Sequence, residues 1–252
     1  MPSRQAESLI RVTASHWIAV CRAPSGAAVA PPRTAGAPAP WLRPVDAARR
    51  SPRMRSGLVE RIETLFERHG RDDGRRSRSS PLTPLEHALQ CAQLAEWMQA
   101  DDALVAAALL HDIGHLLAAD GCAAAPWQPH ERRATAFLAA GFGADVAEPI
   151  ALHVQAKRYL VGLDAAYRQA LSGRSLRSLD RHGGPMSLAE RDAFAALPYA
   201  SQAVALRRCD DLARCAGKPT PPLGHYLAVL EDVLDARRPH VCRGGALSPA
   251  HA

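Results

Sequence analysis

Apolar residues recur at helical spacing along most of the chain after its first quarter. In "MRSGLVERIETLFERHG" (54–70), Val59, Ile62, Leu65 and Phe66 share one face of a 3.6-residue period. "TPLEHALQCAQLAEWMQA" (83–100) opens with Thr83-x-x-Glu86, a capping box, and has Pro84 at the first helical position. Asp102 is expected to cap the next helix, "ALVAAALLHDIGHLLA" (103–118). "HERRATAFLAAGF" (130–142) is expected to end at Gly141, a C′ glycine. Asp145-x-x-Glu148 reads as the start of a helix running through "PIALHVQAKRYL" (149–160). Ser187-x-x-Glu190 caps "LAERDAFAAL" (188–197), and "YASQAVALRRCDDLARCA" (199–216) and "LGHYLAVLEDVLDARR" (223–238) complete the set. No alternating pattern of strand length and no 20–50-residue repeat is present. The expected fold class is all-α, one helical bundle over roughly residues 55–240.

The flanks have a different character. Residues 22–53 are rich in Pro, Ala, Gly and Arg without a period, and such a stretch buries too little apolar surface to offset its ordering entropy. Residues 1–53 are therefore expected to be a disordered extension, with Met54 a candidate true start, and residues 241–252 a flexible tail. "RDDGRRSRSS" (71–80) reads as a polar connector. The extension also explains the charge. It holds eight arginines and two acids, the whole of the net +6, which leaves 23 of the 31 basic and 23 of the 25 acidic residues in the neutral remainder. Nucleic acid is thus not an expected partner of the folded part. No run reaches the roughly 18–20 apolar residues a membrane helix needs, so no membrane association is expected. Six cysteines show no C-x-x-C and no dense framework, which fits a reduced, cytoplasmic chain.

The polar residues that interrupt the apolar faces can bind metal. Segment 109–115, "LLHDIGH", sets His111 beside Asp112 at the edge of an apolar helix. Neighbours in a helix diverge by about 100°, while His115 shares the face of His111 four residues on. A lone His-Asp pair is ordinarily a polar helix edge. Here, however, His87 lies on the preceding helix on the side of Cys91 and Leu94. His130 opens the next helix, His153 lies late in the one after, and Asp210 falls within "QAVALRRCDDLARC". Singly, each is ordinarily a satisfied histidine or a surface acid. Together, four imidazoles and two carboxylates drawn from several helices suit a dinuclear site in a bundle core. That donor set favours Fe, Mn, Zn or Ni over Ca or Mg.

The order H…HD…H…H…D, centred on "HDIGH", resembles the HD-domain superfamily of metal-dependent proteins. More narrowly, "LEHALQCAQLAE", "DDALVAAALLHDIGHLL", "EPIALHVQAKRYL", "GGPMS" and "ALRRCDD" resemble the phosphonate-cleaving HD-domain oxygenases, relatives of myo-inositol oxygenase. The likeness runs from about Leu82 to about Leu230. It implies that His87, His111, Asp112 and Asp210 hold one iron, that His130 and His153 hold a second, and that Asp112 bridges them. Asp210 is preferred to Asp211 because the family ligand is the first acid of the pair. The resemblance also implies an Fe(II)/Fe(III) pair with O2 as co-substrate. The reaction would be oxidative cleavage of the C–P bond of a small 1-hydroxyphosphonate to phosphate and a carboxylic acid. A 2-oxoglutarate-dependent hydroxylase would act upstream.

By the same resemblance, His115 would handle protons or contact substrate near the reacting carbon. Lys157 follows His153 by one helical turn and is one of only two lysines, with Lys218. Arg207 precedes Asp210 by one turn. Both are expected to face a phosphonate oxyanion, with Ser175 a further candidate for that pocket. One departure concerns the substrate. Relatives acting on small aminophosphonates often carry Tyr and Glu shortly before the first ligand histidine, whereas here Ser77 and Ser80 stand in "RRSRSSPLTPLEH". That leaves room for a different substrate tail. The alternative function is a metal-dependent phosphohydrolase of a nucleotide or phosphate ester, in which the same ligands activate a water. The "GYP" segment usual in four-histidine cyclic-dinucleotide phosphodiesterases is absent, and a mere binding module would lack ligands that are present here.

Overall fold

A computed structural model describes residues 56–71, 82–121 and 128–238. The extension 1–53, the connector from residue 72 with Ser77 and Ser80, and the tail 241–252 lie outside the described residues. Within them the elements are helical, without a strand. In chain order they are α1 (Gly57–Leu65, continued by a π turn, Phe66–Gly70), α2 (Pro84–Trp97), α3 (Asp102–Leu110), α4 (Ile113–Ala119) and α5 (His130–Leu138). These are followed by α6 (Ala144–Leu163), α7 (Ala165–Ala170), α8 (Gly173–Arg181), α9 (Leu188–Ala195), α10 (Ala200–Leu212) and α11 (Leu223–Arg237). The all-α expectation holds.

The local signals worked where a side chain could reach its amide. Both capping boxes form, at Thr83/Glu86 and Ser187/Glu190. Three expectations are corrected. The cap of α3 is Asp101, whose carboxylate accepts from the Leu104 amide, and not Asp102. Gly143 precedes α6 without any side-chain cap, because Asp145 lies inside the first turn and pairs instead with Arg237. Gly141 has no left-handed backbone and is glycine for space, since a Cβ there would lie 2.9 Å from Leu234 and 3.0 Å from Leu58.

One continuous core runs from Val59 on α1 to Leu234 on α11. α6 is its axis, packed against α10, α5 and α3, while α2 bridges α3 and α10. Two satellite clusters fix the outer helices. Leu152, Ala156, Phe194 and Ala203 join α6, α9 and α10, and Val161, Leu171 and Leu179 hold α8 against α6. The stretch Asp102–Ala119 is apolar enough to cross a membrane by composition, but it lies mostly buried in the bundle. It is also not one helix, because the chain turns at His111 and Asp112 between α3 and α4. The joint decides where the site forms. Cys91 and Cys209 are free and buried, whereas Cys215 is disulfide-bonded, a departure from a wholly reduced chain.

Candidate metal centre

The α3–α4 joint resolves the geometric difficulty posed by adjacent His111 and Asp112. In an unbroken helix they would diverge by about 100°. Here Asp112 leaves helical dihedrals (φ −100, ψ 7), so that its carboxylate, 3.7 Å from the buried His111 Nε2, lines a cavity. His87 enters it from α2, His130 from the first residue of α5, His153 from the middle of α6 and Asp210 from α10. The rings of His87 and His111 lie 5.3 Å apart, those of His111 and His153 5.5 Å, and those of His130 and His153 5.2 Å, all edge to face. All six residues proposed from the sequence as ligands are thus brought together, and His115 stacks on His130 at 4.3 Å.

Backbone carbonyls fix which ring nitrogen faces inward. The Nδ1 of His87 bonds the Ala213 carbonyl at 2.9 Å, that of His111 the Ala108 carbonyl at 2.9 Å, and that of His153 the Ile150 carbonyl at 2.7 Å. A carbonyl can only accept, so each Nδ1 carries a proton, and in the neutral ring Nε2 then presents a lone pair inward. Gln90, buried, supports one of these tethers by clamping both the N–H and the C=O of Cys215, two residues past Ala213.

The inward nitrogens are poorly served by protein alone. His111 Nε2 is buried without a hydrogen-bond partner, 3.7 Å from Asp112. His130 Nε2 and His153 Nε2 face each other at 3.2 Å, and His130 Nε2 also lies 3.4 Å from Asp112. His87 Nε2 lies 3.3 Å from Asp210. Converging lone pairs and two carboxylates are what a cation pair would occupy, so the residues fit the metal that the sequence implies. Asp210 rather than Asp211 faces the imidazoles, since Asp211 is taken by Arg207 and Tyr167.

Electrostatics agree. Enclosure opposes the charge on Asp112, but His111, His115 and His130 outweigh it and hold its carboxyl well below the usual range. Burial, with neighbouring imidazoles, brings His153 to about 3, and burial brings His130 to about 4 against the pull of Asp112. Both are therefore neutral donors at pH 7. Burial also opposes charge on His87, but its neighbours, Asp210 among them, raise its value well above the ordinary 6.5. In metal-free protein, an unfolded chain takes up protons at His130 and His153 as pH falls through about 6.5, whereas the native chain resists. Stability should fall from pH 6.5 toward pH 4, by up to about 1.4 kcal/mol per pH unit for each histidine. His87 acts in the opposite sense, but below pH 6.5 it is protonated in both states and leaves that slope unchanged. Thermal midpoints of chelated protein between pH 7.5 and 4.5 check this, and His153→Gln should flatten the fall.

The cavity, about 660 Å³, extends from these residues to a cationic side. Lys157 is only 3 % exposed and donates to Ser178 Oγ at 2.7 Å. Burial first, then Arg207, lowers its ammonium to about 8. Ser175, also buried, lines the cavity with its Oγ 3.2 Å from Arg214 Nη2. Arg207 departs from expectation. Its guanidinium forks between Asp210 (2.6 Å) and Asp211, so it orients a carboxylate and is not a free anion hook. Sequence reasoning missed Ser178, Arg177, Arg181 and Arg214, all of which line the cavity. The first three share α8, where the Ser-x-x-Ser and Arg-x-x-x-Arg spacings of "SLRSLDR" were the available signal.

Comparison with known proteins agrees with this geometry. The HD domain family matches residues 85–166, a span that contains every proposed ligand except Asp210. The chain is 42 % identical over 181 residues to hydroxymethylphosphonate dioxygenase of Gimesia maris, covering 70 % of this chain and 89 % of that protein. It is 32 % identical over 184 residues to [1-hydroxy-2-(trimethylamino)ethyl]phosphonate dioxygenase (glycine-betaine-forming) of Leisingera caerulea, covering 72 % of this chain and 92 % of that protein.

Proposed function

The chain belongs to the HD-domain family, among its phosphonate dioxygenases, and on that premise we propose that it cleaves the C–P bond of a 1-hydroxyphosphonate. The products are phosphate and a carboxylic acid, with O2 as co-substrate. For hydroxymethylphosphonate this balances as one phosphonate plus one O2 giving one formate and one phosphate. The observation that carries the proposal is the convergence of partnerless or mutually facing Nε2 atoms on Asp112, in a chain similar to two such dioxygenases.

His87, His111, Asp112 and Asp210 would hold one iron, and His130 and His153 the other, with Asp112 shared. When bound, the Fe(II)/Fe(III) pair supplies the redox chemistry with O2 that side chains cannot provide. The chain's own part is placement. Lys157, kept in place by Ser178, faces the phosphonate oxygens together with Ser175 and the Arg214 guanidinium beside it. Arg207 holds Asp210 in position and keeps it ionised. His115, half exposed beside Asp112 and stacked on His130, is placed to accept or return a proton at the hydroxyl-bearing carbon. Because the substrate already carries the 1-hydroxyl, a hydroxylation must precede this step, as by a 2-oxoglutarate-dependent hydroxylase. A cytoplasmic setting is part of the proposal, supported by a chemistry that uses ferrous iron.

The test is phosphate release from hydroxymethylphosphonate by protein purified under iron-replete conditions. Matching consumption of O2 is the expected result. Phosphate released from phosphate esters without O2 uptake would overturn it in favour of the phosphohydrolase.

A further inference from the structure

The cationic side of the cavity exceeds what one phosphonate requires. α8 is pinned by Leu179, fully buried against Val161 and Leu171, and turns another side to the cavity. Ser175 and Ser178 lie three residues apart there, and Arg177 and Arg181 four apart, and all four line the cavity. The nearby acids are already engaged. Asp210 is held by Arg207, and Asp211 by Arg207, Tyr167 and Arg214. Among the described residues, neither Arg177 nor Arg181 has an ion-pair or hydrogen-bond partner, and buried Lys157 bonds a hydroxyl rather than a carboxylate. Three cations thus line one cavity, none of them paired with a protein carboxylate among the described residues, and Lys157 is the one proposed above to face the phosphonate.

We propose that Arg177 and Arg181 form a second anion subsite, so that the substrate is a 1-hydroxyphosphonate whose tail ends in a carboxylate. This rests on the function proposed above. The spacing sets the tail. Ser178, which touches Lys157, precedes Arg181 by three residues, a rise of about 4.5 Å, which two or three carbon atoms span. The volume of about 660 Å³ leaves room for it, inside the range of roughly 300–1,000 Å³ that houses drug-sized ligands. A guanidinium pair matches a carboxylate by charge and by forked geometry, whereas it would repel a cationic tail.

Equilibrium binding of two non-reacting probes, methylphosphonate and 3-phosphonopropanoate, to metal-loaded protein under anaerobic conditions tests this. The dicarboxylate-like probe should bind the unaltered protein on the order of tenfold more tightly. The double variant Arg177→Ala/Arg181→Ala should lose that advantage while methylphosphonate affinity stays within about twofold. Both side chains are exposed, and an unchanged thermal midpoint confirms that the variant is folded. Equal binding of the probes by the unaltered protein, or an advantage that survives in the double variant, overturns the subsite. So does an advantage that vanishes at about 0.3 M salt, which marks a long-range field and not a contact. If methylphosphonate itself fails to bind, the proposed function falls and takes the subsite with it. Equal binding sinks the subsite alone.

Discussion

Replacing Asp112 with alanine should empty the centre and lower phosphate release on the order of a thousandfold, the several kcal/mol that a catalytic metal contributes. Among the described residues, Asp112 is the one carboxylate within reach of three of the imidazoles, at 3.7 Å from His111, 3.9 Å from His115 and 3.4 Å from His130. Its loss removes the anion proposed to be shared by both metals and leaves Asp210 as the one carboxylate among the proposed ligands. Iron content should fall from about two per chain, the number such bundle carboxylate sites hold, to below one. The fold should survive, because the Nδ1 tethers of His87, His111 and His153 and the surrounding core do not involve Asp112. Metal analysis and the far-ultraviolet spectrum of the variant decide the matter. Retention of both metals, or of a tenth of the activity, would show that Asp112 is not shared between them.

A second substitution reaches the site through the backbone. Gly114→Ala should destabilise the protein by about 1–3 kcal/mol, typical of overpacking, and weaken metal binding as well. A Cβ on Gly114 would stand 1.9 Å from the carbonyl oxygen of His130 and 2.8 Å from its carbon. Those are main-chain atoms and cannot rotate aside. α5 must therefore move, and its first residue is a proposed ligand. Arg133 Nε, donating to the Gly114 carbonyl at 3.0 Å, clasps the same two segments and resists the adjustment. A melting point lower by about 2–4 °C for each kcal/mol, with incomplete metal loading, is the expected outcome. An unchanged melting point with full metal content would mean that α4 and α5 separate freely.

The glycine of "HDIGH" also shows where sequence reasoning stopped. The six side chains that the structure brings together were legible, because imidazoles and acids are conspicuous within apolar faces. The capping boxes at Thr83 and Ser187 were legible because they act within a single turn. The break at His111 was not. Apolar residues at helical spacing resume directly after the His-Asp pair, so nothing local announces the turn that sets α4 against α5. Arg207 was misjudged for a related reason. Sequence spacing placed it within reach of an anion, but two aspartates of its own helix, three and four residues on, claim it first. Apart from Ser175, α8 went unread because four of its nine residues are charged, and the burial of Leu179 shows which side meets the core.

The Nδ1 tethers have one further consequence. His111 bonds a carbonyl three residues back in its own helix, and His153 does the same. Each ring therefore travels rigidly with its helix, and the gaps between rings simply record how closely the helices nest. The centre is in effect a strain gauge for the bundle. A cavity opened elsewhere in the core, by Leu230→Ala on α11 for instance, would register first as altered spectroscopic coupling between bound metals, before any loss of folded protein.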